Sequence, residues 1–138
     1  MFEGCLYFNT TALARRLEKE WTAAFAPFGL TPPQGFMLRT ILDRPGLAPN
    51  ELAEALVIAR PTATRLLDGL EAKGLVLRRS SAEDGRGQAI EPTAEAVAIR
   101  TALNQASQAV TRRLKRALGE SGFAGAVDAV RDARLRLD

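Results

Sequence analysis

The hydrophobic period of this chain leaves the helical spacing in only one stretch, and that stretch bounds what it can fold into. Up to Gly74, apolar residues recur at threes and fours. At Leu75-Val76-Leu77-Arg78-Arg79 the spacing becomes β-type, and beyond Thr93 the helical spacing returns. The expected fold class is therefore mainly α, with one β-hairpin set between helices.

Punctuation residues divide the helical part. Leu6, Leu13, Leu17, Trp21, Ala24 and Phe28 form one stripe, closed by Pro27 and by Gly29 as a left-handed cap. Thr31-Pro32-Pro33-Gln34 reads as a helix start: Thr31 is the N-cap, Pro32 the first helical residue, and Gln34 the far half of a capping box. That second helix packs through Phe36, Met37, Leu38, Ile41 and Leu42 and stops at Pro45-Gly46. Pro49 opens a short third helix with Leu52, Ala53 and Leu56 inward. Val57-Ile58-Ala59 is a tight connector, and a fourth helix starts at Arg60-Pro61, buries Ala63, Leu66, Leu67 and Leu70, and ends at Gly74. After the first strand, residues 80–87 form a loop, and Gln88-Ala89-Ile90 returns as the second strand. Thr93 caps a long helix whose stripe (Ile99, Leu103, Ala106, Val110, Leu114, Ala117) runs close to a heptad. Gly119 and Ser121-Gly122 break it before a last amphipathic helix around Phe123, Val127, Val130 and Leu137.

Composition removes whole classes of chemistry. The 138 residues make one domain, 1–138. There is no histidine, which excludes Ser-His-Asp and Cys-His nucleophile systems and the usual zinc ligands. One cysteine allows neither an internal disulfide nor a thiolate cluster. The expectation is a protein that is not an enzyme and needs no cofactor or metal. No apolar run is long enough to span a bilayer, and Met1-Phe2-Glu3-Gly4-Cys5 is not the start of a signal peptide, so a cytoplasmic location is expected.

Charge then points to a partner. The chain is +3 overall, and residues 60–79 alone hold Arg60, Arg65, Lys73, Arg78 and Arg79 against Asp68 and Glu71, also +3. A short helix, a three-residue turn, a second helix and a hairpin is the layout of a winged helix-turn-helix, in which the second helix enters the major groove. With Ala63, Leu66, Leu67 and Leu70 inward, the first turns of the fourth helix present Arg60, Pro61, Thr62, Thr64 and Arg65 outward. Arg60, Thr62, Thr64 and Arg65 are donors for phosphate and base edges, with Thr methyls suited to thymine, and Pro61 lies among them as a contact without a donor. Asp68, three residues beyond Arg65, is placed to pair with it. Arg86, between two glycines, is the candidate wing-tip contact for a narrow minor groove, and Asp84 its orienting partner. Asn50, at the start of the third helix, is a candidate phosphate contact.

Taken in order, Gly29-Leu30-Thr31, Pro45-Gly46, Glu51-Leu52-Ala53, Pro61-Thr62-Ala63-Thr64-Arg65, Leu70-Glu71, Gly74-Leu75-Val76, Asp84-Gly85-Arg86 and Thr93 resemble the MarR family of bacterial transcriptional regulators. The resemblance implies a homodimer on a pseudo-palindromic double-stranded DNA operator. The winged lobe would span about 31–92 and the dimerisation helices about 5–28 and 93–137. It also implies a ligand-responsive repressor, with a small aromatic effector bound between the dimer and DNA lobes. The chain departs from the family pattern at Ala59, where a capping Ser is usual, at Ala96, where Gly often stands, and at Gly85, where many members carry a second wing arginine.

Two further readings stay open. Trp21, Phe25 and Phe36 are either lining for an aromatic ligand or plain core. Cys5, near the start of the first helix, is either an inert small residue or the thiol of a one-cysteine peroxide sensor. A winged-helix protein-interaction module without DNA binding is the alternative from a different class.

Overall fold

A computed structural model describes residues 1–80 and 87–138. The order is α1 (Leu6–Phe25), a 3-10 turn (Ala26–Phe28), α2 (Pro32–Asp43), α3 (Pro49–Leu56), α4 (Arg60–Ala72), β1 (Val76–Ser80), β2 (Gln88–Pro92), α5 (Ala94–Leu118) and α6 (Glu120–Leu137). The mainly α winged helix-turn-helix expected from the period is the fold observed.

Local signals account for most boundaries. Gly29 takes φ +69°, which stops the 3-10 turn. Thr31 Oγ1 then accepts from the Gln34 N–H at 3.3 Å, and Gln34 Oε1 accepts from the Thr31 N–H at 3.1 Å, a complete capping box. Lys73, just past α4, donates to the same Gln34 Oε1 at 2.8 Å and to the Gly29 carbonyl. The start of α2 and the end of α4 are thereby pinned together. Thr93 starts α5 by accepting from the Ala96 N–H at 3.2 Å while its hydroxyl donates to the Gly74 carbonyl at 2.7 Å. Ser121 and Gly122, expected to lie in a break, are inside α6, because Gly119 alone (φ +78°) provides the turn.

The strands pair antiparallel, Val76 with Pro92 through Ser80 with Gln88. The loop before α3 adds a third edge that the period did not signal. Ile90 N–H donates to the Leu47 carbonyl at 2.9 Å, and the Ile90 carbonyl accepts from Gly46 at 2.8 Å. This docks β2 on the helical lobe. One core runs through the molecule, with Phe25 from α1, Met37, Leu38 and Ile41 from α2, Leu52 from α3, Leu67 and Leu70 from α4, Val76 and Ile90 from the hairpin, and Leu103 from α5. By contrast α6 buries no residue in this chain. Among the described residues, no helix is long and apolar enough to cross a membrane, and no cluster of potential metal ligands occurs.

Candidate nucleic-acid interface

The site is built on the turn between α3 and α4. Val57 stands at φ 56°, ψ 49°, the left-handed region. Its N–H donates to Glu54 O at 3.2 Å, and the Ile58 N–H reaches back to Ala53 O at 3.0 Å. This is the paired closure of a helix end that redirects the chain into α4. At the other end of α3, Ala48 has no capping side chain, and Glu51 Oε1 accepts from the Ala48 N–H at 2.9 Å instead. Glu51 thereby holds the start of α3 in place. Asn50 is exposed in the first turn of α3.

Ala59 precedes α4 and offers no side-chain cap, as expected. The orphan N–H groups of that helix start therefore remain available to an anion. Ala63, Leu67 and Leu70 are buried, while Arg60, Pro61, Thr64 and Arg65 are exposed and Thr62 is half-buried. The sequence-predicted donors thus share one end and one face of α4. Their partners are local: Thr64 Oγ1 donates to the Arg60 carbonyl at 3.1 Å, and Arg65 Nη2 donates to Thr62 Oγ1 at 3.3 Å. Arg60 has no side-chain partner among the described residues.

The expected Arg65–Asp68 pair is not formed. Asp68 is taken by Arg78 from β1, at 2.7 Å, and Arg78 also binds Glu71 at 3.0 Å. Helical spacing alone favoured Arg65. The strand places a second guanidinium closer, a tertiary contact that local spacing does not report. Asp84 and Arg86 lie outside the described residues.

The aromatic candidates sit in the α1–α2–α5 region. Phe25 is wholly buried, and its ring meets Phe36 edge-on at 5.8 Å. Trp21 is half-buried, 6.0 Å from the same ring, and its indole N–H donates to Ser107 Oγ at 3.4 Å. Phe36 is the most exposed of the three and lines a cleft of about 350 Å³ together with Arg39, Arg44, Arg100 and Asn104. Neither Trp21 nor Phe25 lines that cleft.

Arg39 was not anticipated. It lies 5.6 Å from the Phe36 ring centroid and donates to Asn104 Oδ1 and Ser107 Oγ, both at 2.8 Å. Partial burial pulls its pKa below the usual value without removing its charge. The sequence signal was an arginine in an otherwise apolar stretch of α2. Cys5 is exposed at the N-cap of α1, beside the exposed Tyr7.

Comparison with known proteins now has a geometry to meet. The MarR family model matches residues 28–87, from the end of the 3-10 turn to the residue before β2. The HTH-type transcriptional repressor Rv2887 of Mycobacterium tuberculosis is 34% identical over 103 residues, 68% of this chain and 72% of its own. A Thauera aromatica relative named for the hcr operon is 33% identical over 109 residues, 73% of this chain. The chain spans 64% of that relative, less than two thirds. Among solved structures, the transcriptional repressor CouR bound to a 23-mer DNA duplex superposes with a TM-score of 0.81 at 27% identity, over 94% of this chain and 92% of CouR.

Proposed function

The chain belongs to the MarR family of DNA-binding transcriptional regulators, and from that premise we propose that it is a ligand-responsive repressor acting as a homodimer on a pseudo-palindromic operator in the cytoplasm. The observation that carries this reading is the first turn and a half of α4. Arg60, Pro61, Thr64 and Arg65 point to solvent, serve no core, and flank an uncapped helix N-terminus. Such a surface suits phosphate and base edges together.

The homodimer is supported by what a single chain leaves uncovered. Its accessible surface is 9074 Å², about 2,000 Å² more than the ~7,000 Å² expected of a compact monomer of this mass. The excess is apolar where it matters: Leu6, Leu13, Leu118, Val127, Val130 and Leu135 are all exposed on α1, α5 and α6. A second copy covering these helices would bury them.

The effector reading is supported by the cleft between α2 and α5. Its wall combines the Phe36 ring with Arg39, Arg44 and Arg100 against one carboxylate, Asp43, a net positive lining suited to a small aromatic anion. A ligand there would touch α2 of the DNA lobe and α5 of the dimer helices at once, and could favour one spacing of the two lobes.

The test is fluorescence anisotropy against the protein's own upstream DNA and a scrambled duplex, across a salt series. The expected result is tight binding to the first alone, weakening steeply with salt. Equal, weak binding to both, followed by no enriched fragment in a genome-wide selection, would overturn it in favour of a protein-interaction module.

A further inference from the structure

Arg78 lies at the middle of β1, opposite Ile90, on the same side of the strand as the buried Val76. Its two terminal nitrogens are both engaged. Nη2 is 2.7 Å from Asp68 Oδ1 and Nη1 is 3.0 Å from Glu71 Oε1. Asp68 and Glu71 are one turn apart on α4, so a single planar fork spans both. The Arg78 side chain is 23% exposed, whereas the two carboxylates are 59% and 43% exposed. The guanidinium is therefore the inner member of the cluster and is poorly placed to reach a phosphate itself.

This cluster sits where α4 and the hairpin diverge. The chain turns at Gly74, at φ +73°, and β1 leaves the helix end there. Beyond the buried Leu75 and Val76, Arg78 makes the only ion pairs from β1 to α4 among the described residues. Its neighbour Arg79 faces the other way, to Glu91 at 2.6 Å within the hairpin. A hairpin that must reach DNA while α4 occupies the adjoining groove needs a fixed angle to that helix. Two unpaired carboxylates on α4 would in addition repel the phosphates it approaches.

We propose that Arg78 is a positioning residue for DNA binding: its fork on Asp68 and Glu71 holds the hairpin at a set angle to α4, so that both meet the duplex in register. The proposal rests on the reading of α4 as the DNA-contacting helix. Lysine carries the same charge but is a point donor, and it cannot hold two carboxylates in one plane. Because both carboxylates stay largely in solvent, the two pairs add little to folding stability, and their effect is read in DNA binding.

The experiment uses the full chain and a duplex that the parent binds specifically. Arg78→Lys keeps the charge and is expected to melt within a few degrees of the parent. Its affinity should fall about tenfold, with a shallower dependence of log K on log salt, because phosphates met by the hairpin are lost. The triple variant Arg78→Leu, Asp68→Asn, Glu71→Gln removes the charges together and should also bind weakly. Parental affinity and salt slope in Arg78→Lys would overturn the proposal. So would parental binding by the triple variant, which would leave Arg78 only the task of cancelling charge. A parent that selects no duplex at all would instead remove the DNA-binding reading beneath it.

Discussion

The Arg39 guanidinium donates to Ser107 Oγ across the α2–α5 seam at 2.8 Å, and the same oxygen receives the Trp21 indole N–H at 3.4 Å. One hydroxyl thus joins α2 to both α1 and α5, the helices of the proposed dimer region. Ser107 is the only buried polar or charged residue among those described, and no buried side-chain polar atom among them lacks a partner. Ser107→Ala should therefore cost about 1.5–3 kcal/mol, the range for losing a hydrogen bond to a charged group. Urea unfolding should show a lower midpoint with an unchanged slope. A midpoint equal to the parent's would mean that Arg39 and Trp21 find replacements without loss.

Gly35 is pressed against Phe25. A Cβ built there would lie 2.3 Å from both Cδ2 and Cε2 of the ring. The ring cannot retreat, because Phe25 is wholly buried and meets Phe36 on another side. Gly35→Ala should destabilise by about 1–3 kcal/mol through overpacking, despite the better helix propensity of alanine. Thermal unfolding of the two proteins side by side decides it. An unchanged or raised Tm would show that α1 and α2 separate without penalty.

Residues with local causes were legible in the sequence. Thr31, Gln34, Gly29, Gly74 and Thr93 announce their turns and caps because each acts within a few positions of itself. The buried stripe of α4 and the exposed donors beside it follow from helical geometry alone. What stayed hidden depends on distant segments. The Leu47–Ile90 bridge joins positions 43 apart in the chain, Arg39 finds Ser107 on another helix, and Arg78 displaces Arg65 as the partner of Asp68. Arginine spacing on one helix cannot reveal a competitor delivered by a strand.

Val57 is a β-branched residue held in the left-handed region, at φ 56°, to make the α3–α4 turn. Glycine takes this conformation without the steric cost of a Cβ. Val57→Gly should raise stability by about 1 kcal/mol, whereas Val57→Ala, which keeps the Cβ, should gain much less. The pair is compared by chemical denaturation. Val57→Gly less stable than the parent would indicate that the valine side chain, though exposed, contributes more by packing than the strain costs.

Glu20 carries a pH dependence whose sign can be stated. The hydrogen bond from Arg16, at 2.9 Å, outweighs partial desolvation and, with a smaller contribution from Arg113 on α5 at 3.4 Å, holds its carboxyl below the usual carboxylate range. A depressed folded-state pKa means the contribution is fully present above the unfolded value of about 4.3 and fades as pH falls through the folded one. Glu20→Gln should melt slightly below the parent at pH 7, and the gap should close as the carboxylate is protonated in acid. A gap that persists unchanged in acid would assign the effect to packing rather than to charge.

Arg65 and Arg60 sit on one surface but should fail in different ways. Arg65 is steadied by Thr62 Oγ1 at 3.3 Å, a modest restraint that aims the guanidinium along the outward face of α4. Arg60 lacks any such partner among the described residues and stands at the helix start, where the backbone N–H groups already favour an anion. An aimed fork reads a base edge, and a free one follows a phosphate. Arg65→Ala should therefore cost about 1–3 kcal/mol on the specific duplex and little on a scrambled one. Arg60→Ala should weaken both by a similar factor and reduce the salt slope by about one. Thr62→Val, which removes the acceptor but keeps the shape, should produce a weaker copy of the Arg65→Ala pattern. Anisotropy titrations on both duplexes at several salt concentrations separate the roles. If Arg65→Ala lowers specific and scrambled affinity equally, Arg65 is a phosphate contact and base reading on α4 falls to another residue.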